Sequence, residues 1–121
     1  MPNPVVHFEI GTKDSGRARS FYRALFGWQP APGGPEYWLI PPEGDGIGGG
    51  IREASDQVPT YITFYVQVDD IRASVAKARE LGGQVIVAPT PIPGVGEFAL
   101  FADPDGNTVG LMTPIEDGGD G

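Results

Sequence analysis

Apolar and polar positions alternate strictly at two places in this chain, and a helical stripe follows each alternation. In the first, Val6, Phe8 and Ile10 point one way and His7 and Glu9 the other, the period-two pattern of a half-buried strand. Asp14 or Ser15 then offers an oxygen to the unsatisfied N–H groups of a helix start. Ala18, Phe21, Tyr22 and Leu25 recur at i, i+3, i+4 and i+7, one stripe facing a core. Arg17, Arg19 and Arg23 fall largely off that stripe, as a solvated face, and Gly27 stops the helix. The second copy alternates Ile62, Phe64, Val66 and Val68 with Tyr61, Thr63, Tyr65 and Gln67. Asp69 or Asp70 caps a helix carrying Ile71, Val75, Ala78 and Leu81, and Gly82 and Gly83 end it.

Shorter strands fill in behind each helix. Trp28–Gln29 starts one before a Pro/Gly loop at Pro30–Pro35, and Glu36–Ile40 and Gly46–Ile51 follow. In the second half they are Val85–Val87, then a proline-studded loop at Ala88–Gly96, then Glu97–Phe101. A turn at Asp103-Pro104-Asp105-Gly106 leads into the last strand, Asn107–Met112. The order is βαβββ twice: His7 to Thr63 is 56 positions, Gly27 to Gly82 is 55, and Gly46 to Gly106 is 60. This predicts an α+β fold of two modules, at about 4–56 and 59–114, in one domain with a disordered tail over 115–121. The helices are expected on the face of Val6, Phe8, Ile10, Ile62, Phe64 and Val66. The opposite face, with His7, Glu9, Thr63, Tyr65 and Gln67, is then left to line a concavity.

Composition narrows the function classes. At 121 residues, 40% hydrophobic and 20% charged, the chain reads as one globular domain. Eight Lys and Arg against sixteen Asp and Glu give −8, which argues against nucleic acid, whose phosphates need a basic face. With no cysteine, disulfides, thiolate metal sites and cysteine nucleophiles are excluded. No apolar run approaches the roughly 20 residues that span a bilayer, and no signal peptide is evident, so a cytoplasmic location without membrane attachment is expected.

VVHFEI, the FYRALFGW helix end, VDDI with its helix to ELGG, and FADPDGNTVGLM together resemble the vicinal oxygen chelate superfamily. This group includes glyoxalase I, extradiol dioxygenases, and fosfomycin and bleomycin resistance proteins. The resemblance covers most of residues 5 to 113. It implies two βαβββ modules forming a cup-shaped mixed sheet, the glyoxalase/bleomycin-resistance fold, with the cup completed in many members by a second subunit. A homodimer is therefore expected. Metal-dependent members place four ligands on the cup, and those positions correspond here to His7, Gly50, Thr63 and Gly110. Glycine has no donor and threonine is a poor ligand for such ions, which leaves His7.

Two functional readings follow. In the first, the chain is a metal-free receptor that needs no cofactor. It holds a small organic ligand in an aromatic-lined cup, with His7, Glu9, Trp38, Thr63, Tyr65, Gln67 and Phe98 as contacts and no metal ligand. Trp38 or Tyr37 can face such a cup, but not both, because they are adjacent on a strand. In the second, the chain is a lyase, isomerase or dioxygenase-like enzyme, using a displaced metal site with Glu9, Glu36 or Glu97, or using His7 as a base. No catalytic residue is assigned, because no nucleophile or oxyanion device accompanies His7. A vestigial cup in an interaction module is a third possibility. Gly48-Gly49-Gly50 is not a phosphate loop, since no Gly-Lys-Ser/Thr ending follows.

Overall fold

The computed structural model describes residues 2–54 and 60–114. The elements are β1 (Val5–Thr12), α1 (Ser15–Phe26), β2 (Ala31–Gly34), β3 (Tyr37–Ile40), β4 (Gly48–Glu53), β5 (Tyr61–Gln67), α2 (Ile71–Glu80), β6 (Gln84–Ile92), β7 (Gly96–Ala102) and β8 (Thr108–Met112). The plan βαβββ occurs twice, as the spacing predicts. The expected tail at 115–121 lies outside the described residues.

Val6–Phe64 forms one compact unit. In it β1 runs parallel to β4, β4 antiparallel to β3, and β3 antiparallel to β2. Asp14 caps α1 by accepting the Arg17 N–H at 3.0 Å. Gly27 closes the helix in the left-handed region at φ 75°, where a Cβ would be strained. The strand expected from Trp28 begins instead at Ala31, inside the supposed Pro/Gly loop. Pro32 is tolerated there because β2 is an outer strand, so a missing N–H costs no second ladder.

The second unit joins the described residues before Val6 to those from Tyr65 onward. It repeats the pairing: β5 parallel to β8, β8 antiparallel to β7, β7 antiparallel to β6. Asp70 caps α2 through the Ala73 N–H at 3.0 Å. Ile71 and Val75 of α2 form a core with Val68, Ala99 and Leu111, flanked by Val66, Val85 and Phe101. Leu81, expected on the same stripe, is exposed, because the helix has already ended at Glu80. The stretch Ala88–Gly96, expected as a loop, is largely strand: β6 runs to Ile92 with register shifts between Val85 and Thr90. Here too an outer strand accommodates the prolines.

The packing of the first unit departs from the predicted faces. Phe21 and Leu25 of α1 are exposed, and the helix side nearer the sheet carries Ser15, Ala18, Arg19 and Tyr22. Arg19 is not solvated: its guanidinium carbon sits 4.3 Å from the Trp38 ring centroid, a cation–π contact. Tyr22 stacks on Trp28 at 5.3 Å. Half of the predicted stripe, Ala18 and Tyr22, thus faces the sheet, and the other half, Phe21 and Leu25, faces outward.

Ile62, expected under a helix, is 75% exposed, and Phe64 on the same side of β5 is exposed as well. A depression of about 470 Å³ remains between Ile10, Ala18, Tyr22 and Ile62, so α1 does not close over that strand. Glu9, Thr63 and Tyr65, expected at an open wall, are instead 2%, 4% and 4% exposed. Three residues that pattern alone marks as solvated are thus buried.

Candidate functional site

Alternation along β1 sets His7, Glu9 and Gly11 on one face. β3 brings Tyr37 to that face. Its hydroxyl donates to Glu9 Oε1 at 3.0 Å and lies 2.9 Å from His7 Nε2. The start of β5 brings Tyr61, whose hydroxyl donates to Glu9 Oε2 at 2.5 Å and whose ring lies over Gly11. Both oxygens of a buried carboxylate thus accept phenol protons. Hydrogen bonds of this charge-assisted kind contribute roughly 1.5–3 kcal/mol each.

The network assigns a tautomer. Tyr37 has one hydroxyl proton, and the Glu9 carboxylate is its stronger acceptor. His7 Nε2–H then donates to the Tyr37 oxygen. The His7 and Tyr37 rings are stacked, 18° apart in plane at 6.5 Å. Burial lowers the His7 pKa below its ordinary 6.5, against a smaller opposing pull from Glu9. The ring is neutral at neutral pH. Burial, reinforced by the Glu9 hydrogen bond, pushes the Tyr61 hydroxyl well above its ordinary 10, so it stays a donor.

The His7 shift predicts a pH dependence. Below about 6.5 the unfolded chain's imidazole takes a proton that the folded one refuses, so the unfolded state binds more protons. The contribution to stability is complete above that value and is lost as pH falls toward the lower folded pKa. In urea melts between about pH 7 and pH 5, His7→Gln should show a shallower loss of stability than the wild type. Parallel pH profiles for the two proteins would contradict it.

Register explains the glycines. Gly50 on β4 stands opposite Glu9 on β1, and Gly110 on β8 stands opposite Tyr65 on β5. Glu9 and Tyr65 are themselves 56 positions apart, so the two modules hold their glycines in the same place. A Cβ on Gly50 would collide with the Tyr37 ring and hydroxyl, and one on Gly110 with the Tyr65 ring. Each glycine is there because a tyrosine occupies the space over it.

These are two of the four positions that the superfamily resemblance assigns to metal ligands. A metal ion of that kind does not fit these residues: the glycines supply no donor, and phenol rings fill the volume where donor atoms would stand. Among the described residues no group of three or more His, Asp or Glu could hold one ion.

Of the residues predicted to line a site, His7 and Glu9 are brought together directly. Thr63 follows Tyr61 on the same side of β5, its hydroxyl 3.4 Å from the Phe64 carbonyl. In the second unit Tyr65 and Leu100 flank Gly110, while Gln67 and Phe98 flank Met112, so Tyr65, Gln67 and Phe98 share a face. Trp38 does not join His7. It lies across β3 from Tyr37, under Arg19, because Tyr37 takes the inward position. Tyr37, the alternative to Trp38 on β3, and Tyr61, which alternation sets on the side of Thr63 and Tyr65, both belong to the site. The glycines facing them, Gly50 and Gly11, were the available signal of close approach.

Residues 6–112 match the family model described as "Glyoxalase-like domain". The chain is 34% identical over 110 residues to a Mycobacterium tuberculosis (strain CDC 1551 / Oshkosh) protein named "Putative glyoxylase CFP32", covering 88% of this chain and 42% of that one. It is 28% identical over 123 residues to the Streptomyces peucetius "Anthracycline biosynthesis protein DnrV", covering 87% and 45%. The chain thus spans less than half the length of these curated relatives. The crystal structure of a glyoxalase/bleomycin resistance protein/dioxygenase superfamily member from Vibrio splendidus 12B01 superposes with a TM-score of 0.64 at 17% identity, covering 94% of this chain and 100% of that one. Repeated βαβββ modules, matched glycines and a family match over nearly the whole chain converge: this chain belongs to the glyoxalase-like domain family and has the glyoxalase/bleomycin-resistance/dioxygenase fold.

Proposed function

We propose that this domain holds a small organic molecule, without a metal ion, on the face of β1 that carries His7 and Glu9. The observation that carries this reading is the Tyr37 ring seated over Gly50, where a metal-binding relative would present a donor. In place of ligands, the face offers a neutral imidazole and two phenols fixed by a buried carboxylate. Such groups orient a ligand by hydrogen bonding, and their rings supply stacking surface. A planar, oxygen-bearing aromatic molecule suits this chemistry, and the name of the anthracycline biosynthesis relative points to the same class.

The test is calorimetric titration with 1,8-dihydroxyanthraquinone in the presence of chelator. Saturable binding is expected, weakened about tenfold by Tyr37→Ala, a difference of about 1.4 kcal/mol. Tight binding of zinc or manganese that His7→Ala abolishes would overturn the reading.

One observation favours a second reading, in which His7 is a general base. The Glu9–Tyr37–His7 chain of hydrogen bonds orients an imidazole that burial keeps neutral at neutral pH. Turnover of a carbon acid, insensitive to chelator and lost in His7→Gln, would replace the receptor with an enzyme.

A further inference from the structure

Across β1 from His7, Phe8 projects toward the end of α1. Trp28 packs against it with ring centroids 5.3 Å apart, and Phe26 lies 5.0 Å from Trp28. Beside the three rings opens a cavity of about 570 Å³, walled also by Ile40 and Ile47, with Glu43 from the turn before β4 on its lining. That volume lies within the range of small-molecule sites, about 300–1,000 Å³. The Glu9 network does not use it. Phe26 is more than half exposed, so its ring is open to a ligand at the cavity mouth.

Three features of this cavity select the same sign of charge. Glu43 is the one ionisable group among the described residues that line it, and it is an acid. The ring faces of Phe8, Phe26 and Trp28 are electron-rich and attract cations, the indole most strongly. The third is the helix: α1 ends on the wall at Phe26 and Gly27, so the negative pole of its backbone dipole is directed there. Arg23, the basic residue of that last turn, is not among the lining residues. An acid, an aromatic box and a helix C-terminus converge on one half-enclosed space.

We infer that this cavity is a second binding site, for a small organic cation: an aromatic or aliphatic body carrying a tertiary or quaternary ammonium group. The ammonium sits against the indole and the Glu43 carboxylate, and the body lies along Phe8, Ile40 and Ile47. An anion of the same shape is repelled by all three features.

The chain has two tryptophans, so Trp38→Phe leaves Trp28 as the sole indole reporter. Benzyltrimethylammonium, benzyl alcohol and benzenesulfonate are each titrated while Trp28 fluorescence is followed, with calorimetry on the wild type as a check on the variant. The cation should saturate the signal about tenfold more tightly than the alcohol, and the sulfonate should not saturate it. Glu43→Gln, in an exposed turn, should weaken the cation severalfold and leave the alcohol unchanged. Tyr37→Ala, on the other face of the sheet, should leave cation binding intact, which separates this site from the one proposed above. Equal affinity for the three probes, an unchanged cation affinity in Glu43→Gln, or loss of cation binding in Tyr37→Ala would each overturn the inference.

Discussion

Gly110→Ala is expected to destabilise the protein by about 3 kcal/mol, which lowers the melting temperature of a domain this size by about 10 °C. The added methyl would collide with one edge of the Tyr65 ring, at Cδ2 and Cε2, and crowd Cγ, the atom that joins the ring to its own Cβ. A long side chain can swing its far end aside, but Tyr65 is 4% exposed and is struck near its root. Either the ring leaves its rotamer or β5 and β8 lose their pairing at Tyr65 and Gly110. The effect should depend on the ring. In a Tyr65→Ala background the same glycine substitution should cost about 0.5 kcal/mol, as at an ordinary strand position. Equal costs in the two backgrounds, measured by urea denaturation, would show that the ring is not the reason for the glycine.

Glu9→Ala is expected to have an effect of similar size, about 3 to 4 kcal/mol, by a different route. It removes the acceptor of two hydroxyl groups at once and leaves a cavity at a position 2% exposed. Glu9→Gln keeps the shape and one carbonyl acceptor, so its cost should be roughly half as large. The two substitutions share a second readout. The Tyr61 hydroxyl is held above its ordinary range first by burial and then by Glu9, so either change should bring its ionisation to lower pH in an ultraviolet titration. Retention of both stability and tyrosine titration in Glu9→Ala would mean that the carboxylate does not organise this face.

Much of the secondary structure was legible in the order of residues. Asp14 and Asp70 cap the helices where the pattern placed them, and Gly27 ends α1. These features depend on groups within a few residues of each other, so local spacing decides them. The strands at Ala31–Gly34 and Gln84–Ile92 were not legible, because their prolines argue for loops unless the strand is known to be an outer one. That knowledge belongs to sheet order, which adjacent residues do not carry.

The site divides along the same line. His7 and Glu9 share a face by alternation alone, and the lack of donors at Gly50 and Gly110 can be read directly from the letters. Which of Tyr37 and Trp38 joins them could not be read, since adjacent strand residues differ only in which side the register turns inward. Pairing of β3 with β4 chose Tyr37, and Arg19 took Trp38 on the other side. Likewise, the side of β1 that carries His7 and Glu9 reads as solvated, because each residue alone favours water. Only hydrogen bonds to partners 28 and 52 positions away allow Glu9 to be buried there.

By itself, then, the sequence determined the repeated module, the glycine that ends α1 and the lack of donor side chains at Gly50 and Gly110, all consequences of short-range spacing and residue chemistry. The tertiary structure decided which aromatic rings fill the space over the glycines and that Glu9 is buried between its phenol partners. It also placed an acid, three rings and a helix end around one cavity. Those outcomes depend on register and on contacts between distant segments, where small differences in packing settle which of two neighbouring side chains turns inward.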